Sequence, residues 1–546
     1  MLFNSYAFIF IFLPAVLSGC FILAKLWGAR AAQVWLIVAS LYFYAAWNLA
    51  YFPLLILSIL FNYAIAKSMA RTENSGHRKY LLLTAVIGNL GTLAYYKYAN
   101  FFISAFDTAS GASFSFQTVL LPLGISFYTF QQLTLLADMK SRQSTHSLRF
   151  HHFVLFIIFF PHLIAGPIVH HREMMPQFET ADYRFRWSNL AVGISLFVMG
   201  LFKKVVMADG IATYVSPLYT SAAGGNKLTL FYAWAAAFGF LLQLYFDFSG
   251  YSEMALGLAR MVGIKLPINF NSPLKATSIT EHWSRWHMTL TRFLTEYLNR
   301  PLMTWFARKR KRAGKGGIGG PQIQLGALAN IIVLPSLVTM FLAGLWHGAG
   351  YQFLVWGTLH GLYISINQTW RLLTSSYFKN RRRYEMIMRP LGFLMTLFGV
   401  VIAIPFFRSD SVETALNVFR GLFFFNGATL PDVIAYRLPR IAAILSQTGI
   451  VFEPGSLVTL ITTWSWIMVL LTIALIAPNV IQILRNYEPV VALPSSISAR
   501  PFISTTFYGR WFLWAPDPRW AMTTVALGVL AILSLTRASA FLYWQF

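Results

Sequence analysis

Apolar runs recur along the chain, and many are long enough to cross the hydrocarbon core of a bilayer, which takes about 20 helical residues. Loops rich in Lys and Arg lie between many of them. Within a bilayer each backbone polar group must be bonded inside the protein, so only helices and closed barrels can span it. Runs of this length predict an all-α polytopic membrane protein.

Composition excludes the soluble classes of protein. Of the 546 residues 57% are hydrophobic and 11% are charged, whereas soluble domains average about 25% charged residues. The net charge of +25 would suggest nucleic-acid binding in a soluble chain. Here the basic residues lie between apolar runs and mark cytoplasmic loops, so we expect no nucleic-acid partner. The single cysteine, Cys20, lies in the first apolar run, where we expect a small core residue.

The first five runs alternate in the way that the positive-inside rule requires, with the N-terminus outside. They are Tyr6–Ala24, Val34–Trp47, Tyr51–Ala66, Tyr80–Tyr96 and Val119–Ala137. Later candidates are His152–Ala165, Asn189–Phe202, Leu228–Phe248, Leu325–Trp346, Tyr351–Asn367, Pro390–Phe406, Leu457–Leu484 and Ala521–Leu535. The first of these later runs is short and could be re-entrant. We expect about 11 to 13 membrane segments in all. The charge rule assigns the less apolar stretch 407–454 to neither side.

His347 is the strongest candidate for chemistry. The apolar stretch from Ile331 to Ile366 has 36 residues, about 54 Å as one helix, which is too long for one crossing of about 30 Å. The helix must break, and the glycine-rich segment 344–350 around His347 allows it. Ionisable groups inside membranes are functional candidates, and a neutral imidazole can take a proton from a hydroxyl. The alternatives are a structural histidine that is bonded to a neighbouring helix and a residue at a plain loop tip.

A second candidate region begins at Ser278, which with Glu281 fits a capping box and predicts a helix start. Apolar residues at three- and four-residue spacing predict one amphipathic helix from here to Asn299. His287 shares its apolar face and points inward. A satisfied core histidine is the favoured interpretation of His287, and a catalytic role is the alternative; His282, in the first turn, is interpreted as structural.

Other regions carry weaker signals. Asp247 ends an apolar span, so it needs a cationic or histidine partner or remains protonated; anchoring a helix is favoured over orienting a catalytic histidine. The basic stretch Arg308–Lys315 is expected in the cytoplasm, and the break Gly314–Pro321 lacks the order of a phosphate loop. The five histidines between 151 and 171 lack the spacing of a zinc site, so no metal is expected.

Several segments together resemble the membrane-bound O-acyltransferase superfamily, above all its bacterial branch of alginate O-acetylation membrane subunits, which includes D-alanyl transfer and cellulose or peptidoglycan acetylation proteins. The segments are Leu2–Ser5, Gly166-Pro167, Tyr245–Gly257, Trp283–His287, Leu345–Ala349 and Phe541–Phe546. The resemblance covers essentially the whole chain, so we expect one integral membrane acyltransferase domain over residues 1–546, with a motif-bearing core at about 119–370.

The resemblance implies a ring of helices around a tunnel that joins the two faces of the membrane. It implies that His347 is the catalytic base or acyl relay and that His287 is the second site residue. We count Trp346, Asp247, Trp286 and Arg285 as supporting residues. For the oxyanion of acyl transfer, the Trp346 N–H or a backbone N–H at the break is a suitable donor.

The function that the resemblance implies is transfer of acetyl groups to an extracytoplasmic polysaccharide, through a periplasmic acetyltransferase partner, in the bacterial inner membrane. The donor is expected to be cytosolic acetyl-CoA, with no permanently bound cofactor. The basic stretch would attract the phosphates of acetyl-CoA through Arg308, Lys309, Arg310, Lys311 and Arg312. The alternative is that this stretch only fixes the topology of the chain in the membrane. The alternatives are a transporter or flippase and a non-catalytic scaffold of a polysaccharide secretion complex. The missing internal repeat argues against a transporter.

Overall fold

The computed structural model describes residues 1–111, 118–141, 148–164, 166–318, 324–377, 381–491, 511–537 and 541–542. Parts of three predicted segments lie outside these residues: Ala165, positions 319–321 of the glycine-rich break, and the last four residues of the C-terminal motif. Helices dominate the described chain. The all-α fold predicted from the apolar runs is confirmed.

The described chain forms two compact units, which share the helix Leu230–Met261 and the π-helical turn Lys203–Ala208. The first unit comprises Met1–Val206, Phe248–Asn269 and Pro478–Gln545, and the second comprises mainly Met207–Asp247 and Phe270–Ala477. The remaining helices of the first unit are Phe8–Phe12, Leu13–Trp27, Ala29–Ala45, Leu49–Tyr51, Phe52–Arg71, Ser75–Ser110, Ile125–Lys140, Phe150–Ile158, Phe160–Leu163, His171–Thr180, Trp187–Phe202, Val480–Ile483, Arg485–Tyr487, Pro518–Ser534 and Leu535–Arg537.

The second unit carries the candidate site. Its helices are Asp209–Ala223, Pro273–Lys275, Ile279–Trp283, Met288–Leu294, Thr295–Asn299, Arg300–Arg312, Leu325–Leu328, Ala329–Val333, Leu334–His347, Tyr351–Tyr377, Arg381–Arg408, Val412–Leu422, Val433–Arg437, Pro439–Gln447 and Leu457–Ile476. Two short strands, Ala428–Pro431 and Ile450–Glu453, pair in parallel with Ala428 opposite Ile450.

Within the described residues, seven helical segments are long and apolar enough to cross a membrane. They are Phe8–Trp27, Leu49–Arg71, Trp187–Ala223, Leu230–Met261, Leu325–His347, Arg382–Arg408 and Leu457–Ile476. Each span predicted from sequence overlaps a helix of the structure, but the Leu457–Leu484 run is divided between Leu457–Ile476 and Val480–Ile483, and the helix of the Val119–Ala137 run begins only at Ile125. The total of about 11 to 13 segments includes shorter pieces and stays a prediction. One such piece is the 152–165 run, which is divided between two short helices.

Two glycine pairs bring helices of the first unit into backbone contact. A Cβ atom at Gly200 would lie 2.5 Å from the carbonyl oxygen of Gly250, and one at Gly193 would lie 2.7 Å from that of Gly257. Both pairs advance seven residues in opposite directions along the chain, so these helices run antiparallel. Small residues at crossings are how membrane helices approach closely, because lipid gives no hydrophobic drive for association.

A buried ion pair lies at the same crossing. The Lys203 Nζ atom is 2.5 Å from Glu253 Oε1, and both side chains are largely buried. Lys203 is three residues after Gly200 and is the first residue of the π-helical turn Lys203–Ala208. Two charged side chains that are buried to this extent are expected only where they compensate each other's charge.

The region predicted as one amphipathic helix from 278 to 299 is divided. Ser278 does cap a helix, since its side chain accepts from the Glu281 N–H, but the helix ends at Trp283. A turn follows, and the next helix begins at Met288. The prediction of a continuous helix was wrong because a left-handed residue at His287 and tertiary hydrogen bonds interrupt the helix here, and local periodicity cannot reveal either.

Candidate functional site

His347 is the last residue of the helix Leu334–His347, and its side chain is only 3% exposed. Gly348 is extended and the next helix begins at Tyr351. The break that the 36-residue apolar stretch required is therefore present, at the predicted glycines. A histidine at this position has its backbone at a helix end and its imidazole inside the protein.

Glycines set the position of this break by letting two helices touch through their backbones. A Cβ atom at Gly344 would clash with the carbonyl oxygen of Phe353, and one at Gly357 would clash with that of Met340. A Cβ atom at Gly348 would clash with the ring of Phe353. The helices on either side of His347 consequently pack against each other with no side chain between them at these glycines.

Aromatic rings surround the imidazole of His347. Its centroid lies 4.7 Å from the ring of Trp346, 4.9 Å from that of Trp356 and 5.0 Å from that of Phe407. The last two rings meet it close to perpendicular, at 87° and 74°. Edge-to-face contacts of this kind are favourable. The neutral form of an imidazole is the one that can accept a proton.

His287 lies near the same tryptophan. Its ring centroid is 6.5 Å from that of Trp346 and 6.5 Å from that of Phe270, and its side chain is fully buried. The inward direction predicted for His287 is confirmed. It arises from a left-handed backbone with φ of 42° rather than from the face of a helix. Burial lowers the pKa of His287 to about 3, so this ring is neutral at physiological pH.

Arg285 and Glu281 hold the turn that carries His287. The guanidinium of Arg285 donates to Glu281 at 2.7 Å and to the Asn271 carbonyl at 3.3 Å, while the Asn271 N–H donates to the Arg285 carbonyl at 2.9 Å. Glu281 also accepts from the backbone N–H and the hydroxyl of Thr277, both at 2.8 Å. Although burial acts in the opposite direction, these bonds and Arg285 lower the pKa of Glu281. The clamp fixes the backbone on which His287 sits.

Trp286 and Asp247 occupy the surroundings of this turn. Trp286 packs on Phe270 at 5.1 Å and on Tyr245 at 6.3 Å, and Tyr245 is two residues before Asp247. Asp247 is 1% exposed. Asp247 was predicted to end its span, but the helix Leu230–Met261 continues for 14 residues beyond it. The sequence becomes less hydrophobic after Phe248, which is why an end was predicted there. The small and polar residues that follow are nevertheless buried in the protein, and the helix continues through them.

Two further buried histidines join the cluster, and the sequence analysis gave them no site role. His360 Nδ1 accepts a hydrogen bond from the indole N–H of Trp283 at 3.3 Å, and its ring lies 4.8 Å from Trp356. His282 lies on Trp286, with ring centroids 5.8 Å apart and an interplanar angle of 16°. His360 is on the helix Tyr351–Tyr377, far in sequence from its partners. Its position inside a predicted span was the available signal, since ionisable groups there are functional candidates.

The basic stretch divides into one engaged arginine and four exposed cations. The Arg310 guanidinium donates to the Gly316 carbonyl at 3.0 Å and to Gln324 at 2.9 Å, so it closes the loop after the helix Arg300–Arg312. Arg308, Lys309, Lys311 and Arg312 are exposed. A phosphate-bearing ligand would therefore meet these four cations rather than Arg310.

In the first unit the structure gathers part of the histidine group around Asp138. Ligand atoms of Asp138, His170 and His171 lie within 4.8 Å of one another. The Asp138 carboxylate is already paired with Arg172 at 2.9 Å and with His170 Nε2 at 3.1 Å. Because His170 Nδ1 accepts from the Arg172 backbone N–H, its proton is assigned to Nε2. The arrangement is explained by an ion-pair network, and sequence spacing missed it because Asp138 belongs to a different helix.

A polytopic helical chain with a buried imidazole at a broken membrane helix and a second one beside it has the architecture of a membrane-embedded acyltransferase. Comparison with known proteins supports this class. Residues 101–315 match the model of the MBOAT, membrane-bound O-acyltransferase family. The matched range includes His287 and ends before His347.

Relatives align over a longer part of the chain. A peptidoglycan O-acetyltransferase of Helicobacter pylori is 39% identical over 458 residues, which are 79% of this chain and 81% of that protein. A probable alginate O-acetylase AlgI of Azotobacter vinelandii is 33% identical, over 79% of this chain and 80% of that protein. A teichoic acid D-alanyltransferase of Bacillus subtilis is 28% identical over 52% of this chain and 66% of that protein.

The chain belongs to the membrane-bound O-acyltransferase family. It is a multi-pass membrane protein with O-acyltransferase activity. The resemblance noted from its motifs, including the branch that holds the alginate acetylation subunits, is confirmed.

Proposed function

We propose that this protein transfers acetyl groups from acetyl-CoA in the cytosol to a polysaccharide outside the bacterial inner membrane. A periplasmic acetyltransferase partner would complete the transfer. The polymers in the names of its relatives, peptidoglycan, alginate and teichoic acid, are all outside the cell membrane and all carry anionic groups. That shared location and charge support an anionic envelope glycan as the acceptor.

The observation that carries the proposal is the buried His347 at the end of its helix, 3% exposed and enclosed by aromatic rings. A neutral imidazole here accepts the proton of an acceptor hydroxyl as its oxygen attacks the thioester carbon. The new C–O bond forms, the C–S bond breaks, and the proton passes to the leaving thiolate. His347 ends the cycle in its starting neutral form.

Trp346, His287 and Asp247 act as supporting residues in this proposal. Trp346 is adjacent to His347 in sequence and near both histidine rings, so its N–H is a donor for the oxyanion that develops at the thioester carbonyl. His287 is neutral and supplies a hydrogen-bonding group rather than a charge. Asp247 anchors the helix that packs on the turn through Tyr245.

The donor would approach from the side of the basic helix Arg300–Arg312. Four exposed cations there attract the phosphates of coenzyme A, in line with the charge steering of ligands. By the positive-inside rule we also expect this basic helix to lie in the cytoplasm. No permanently bound cofactor takes part in the proposed reaction.

The decisive experiment replaces His347 with Ala. Acetylation of the envelope polymer is expected to fall by about 10²- to 10⁴-fold, the usual contribution of a general base. His77, which is exposed, gives a matched control as His77→Ala. Correct insertion is checked by size-exclusion chromatography in detergent. Persistent acetylation with a properly inserted His347→Ala protein would contradict the proposal.

Vesicles separate catalysis from transport. Reconstituted protein is given radiolabelled acetyl-CoA on one side and a glycan acceptor on the other. Free CoA together with acetylated acceptor supports the proposed transferase. Intact acetyl-CoA on the far side of the membrane would instead show that the protein is a transporter and would contradict the proposed transferase.

A further inference from the structure

The stretch between the candidate crossings Arg382–Arg408 and Leu457–Ile476 exposes bulky apolar side chains. Three consecutive residues, Phe423, Phe424 and Phe425, are exposed in what we call the phenylalanine turn, and the last side chain is 78% exposed. Phe424 has a positive φ of 69°, a strained backbone conformation for a bulky residue. Apolar rings held outward in this way mark a surface that something else covers.

The helix Pro439–Gln447 also turns apolar side chains outward. Ile441 and Ile444 are exposed, and because they are three residues apart they project from the same face of the helix. Ala442 is buried, so the helix packs on the protein through a different face. Leu438, directly before the helix, is exposed as well. A helix that borders water has polar residues on its outer face, so this one is expected to face an apolar surrounding.

Arginines border this apolar surface. Arg437 and Arg440 are exposed, and positions 433–447 contain no Asp or Glu. Arg440 is four residues before Ile444, so the two side chains are neighbours on the helix. An arginine can lay its carbons along apolar surface while its guanidinium stays among polar groups. Apolar side chains beside cations are typical of a helix that lies in the plane of a membrane interface.

Hydrogen bonds attach the phenylalanine turn to the connection between two crossings, Trp187–Ala223 and Leu230–Met261. The side-chain amide of Asn426 donates to the Leu228 carbonyl at 2.9 Å. The first N–H of the second crossing donates to the Gly427 carbonyl at 3.0 Å. A short connection between consecutive crossings lies where the chain leaves the bilayer. The phenylalanine turn is therefore held at the boundary of the membrane.

The helix Pro439–Gln447 lies close to the same turn. The strands Ala428–Pro431 and Ile450–Glu453, one before it and one after it in the chain, pair with each other. A Cβ atom at Gly449, between the helix and the second strand, would lie 3.7 Å from the ring of Phe424. The exposed rings of the turn and the exposed side chains of the helix consequently belong to one region at the membrane boundary.

We infer that the phenylalanine turn and the helix Pro439–Gln447 insert their exposed apolar side chains into the interface of the lipid bilayer, where Arg437 and Arg440 bind the phosphates of anionic phospholipids. Lipid headgroups surround the end of a crossing, so they are the nearest partner for this surface. It also continues the lipid-facing surface of the next crossing, where Val458 and Ile461 are exposed. The inference applies to either face of the membrane and is independent of the proposed acetyl transfer.

A nitroxide spin label reports whether the helix lies in lipid. The buried Cys20 is first replaced by Ala, and one cysteine is then introduced by Ile444→Cys or by Ser446→Cys. Both positions are exposed, and because they are two residues apart they lie on opposite sides of the helix and form a matched pair. The full-length protein is reconstituted into vesicles of phosphatidylcholine and phosphatidylglycerol.

Two collision partners of the label are compared. Oxygen concentrates in lipid, whereas a nickel chelate stays in water. The ratio of oxygen to nickel collisions is expected to be severalfold higher at position 444 than at position 446, because the apolar face of an interfacial helix is immersed below the headgroups. Equal ratios, or a lower ratio at 444, would overturn the inference, since the apolar face would then meet water or protein.

The phenylalanine turn is tested in the same way with Phe425→Cys. Its ratio is expected to match that at position 444. The side chains replaced here are exposed, so an unchanged size-exclusion profile and an unchanged unfolding midpoint are expected for each variant. A folded Phe425→Cys protein whose label collides mainly with nickel would overturn insertion of the turn.

Lipid charge is varied separately. The docked fraction of the label at position 444, measured as the immobilised component of its spectrum, should be higher with phosphatidylglycerol than in phosphatidylcholine alone. With phosphatidylglycerol present, Arg437→Gln and Arg440→Gln should each lower the docking equilibrium about fivefold, the usual effect of one basic residue at an anionic surface. Arg184→Gln, at an exposed arginine elsewhere in the chain, is the matched control and should leave it unchanged. Docking that is insensitive to lipid charge or to both arginines would overturn phosphate binding.

Discussion

The indole N–H of Trp283 donates to His360 Nδ1 at 3.3 Å, and this bond joins the segment before His287 to the helix after His347. Because Nδ1 is the acceptor, the proton of His360 is assigned to Nε2. The ring of Trp356 lies 4.8 Å from His360 and 4.9 Å from His347. His360 therefore packs on one side of Trp356, and Trp356 in turn packs against the imidazole of His347.

We expect His360 to be a positioning residue. His360→Gln keeps an acceptor for the Trp283 indole and should retain much of the activity, whereas His360→Leu leaves that buried N–H without a partner. The lost bond is expected to lower kcat about fivefold or more with little change in KM for acetyl-CoA. Steady-state kinetics on both variants measure the difference.

A double-mutant cycle controls for general damage. Trp283→Phe removes the donor, and once it is gone His360→Leu should cost little further activity. Independent, additive losses would show that the hydrogen bond does not carry the effect.

Backbone contact at Gly344 makes a second prediction. Gly344→Ala places a Cβ atom against the Phe353 carbonyl, so we expect overpacking to cost about 1 to 3 kcal/mol and to lower activity. Gly91→Ala is the control, because a Cβ atom there meets nothing within 4 Å and the site is inside a helix. The thermal unfolding midpoint of Gly344→Ala should be lower than that of the wild-type protein, and the midpoint of Gly91→Ala should be unchanged. Equal midpoints for Gly344→Ala and the wild-type protein would contradict the proposed packing.

Stability should depend on pH through His287. Its pKa is lowered by burial from 6.5 to about 3, so between these values the unfolded chain binds more protons than the folded one. The free energy of unfolding therefore falls as pH falls below 6.5, by at most about 1.4 kcal/mol per pH unit for one group. His282, whose pKa burial lowers to about 4, acts in the same direction.

His287→Asn should make this dependence shallower without abolishing it. Unfolding midpoints at about pH 5 and about pH 7, followed by tryptophan fluorescence in detergent, give the comparison. A variant as acid-sensitive as the wild-type protein would show that His287 titrates normally in the folded state.

Charge removal on the helix Arg300–Arg312 tests the donor side. The triple variant Lys309→Gln, Lys311→Gln and Arg312→Gln should raise the KM for acetyl-CoA severalfold and weaken its dependence on salt. The KM for acetyl-pantetheine, which lacks the nucleotide phosphates, should not change. An equal rise for both thioesters would mean that the helix acts only through folding or topology.

Sequence reasoning succeeded where one local pattern determines the structure. The apolar stretch through His347 is longer than a bilayer, and its glycines stand where the helix ends. The spans were likewise readable, since each is a continuous apolar run. His287 was predicted to point inward and it is buried, but a left-handed turn rather than the helix predicted from the spacing of its neighbours puts it there.

The rest depends on partners distant in the chain. The turn before His287 is fixed by bonds from Arg285 to Asn271, which no periodicity records. His360 takes its place in the cluster from Trp283, 77 positions earlier. Asp247 lies inside its helix because the residues after it pack within the protein, although their polarity predicts an end.

The contact between Gly344 and the Phe353 carbonyl has a consequence for acyl selectivity. This contact is between main-chain atoms, which cannot change rotamer as side chains do. The position of the His347 backbone is therefore expected to change little when nearby side chains are substituted. The groups next to His347 that substitution can reshape without moving the helices are the rings of Trp356 and Phe407. Under the proposed function, we expect a relative that accepts a longer acyl group to carry smaller side chains at these two positions.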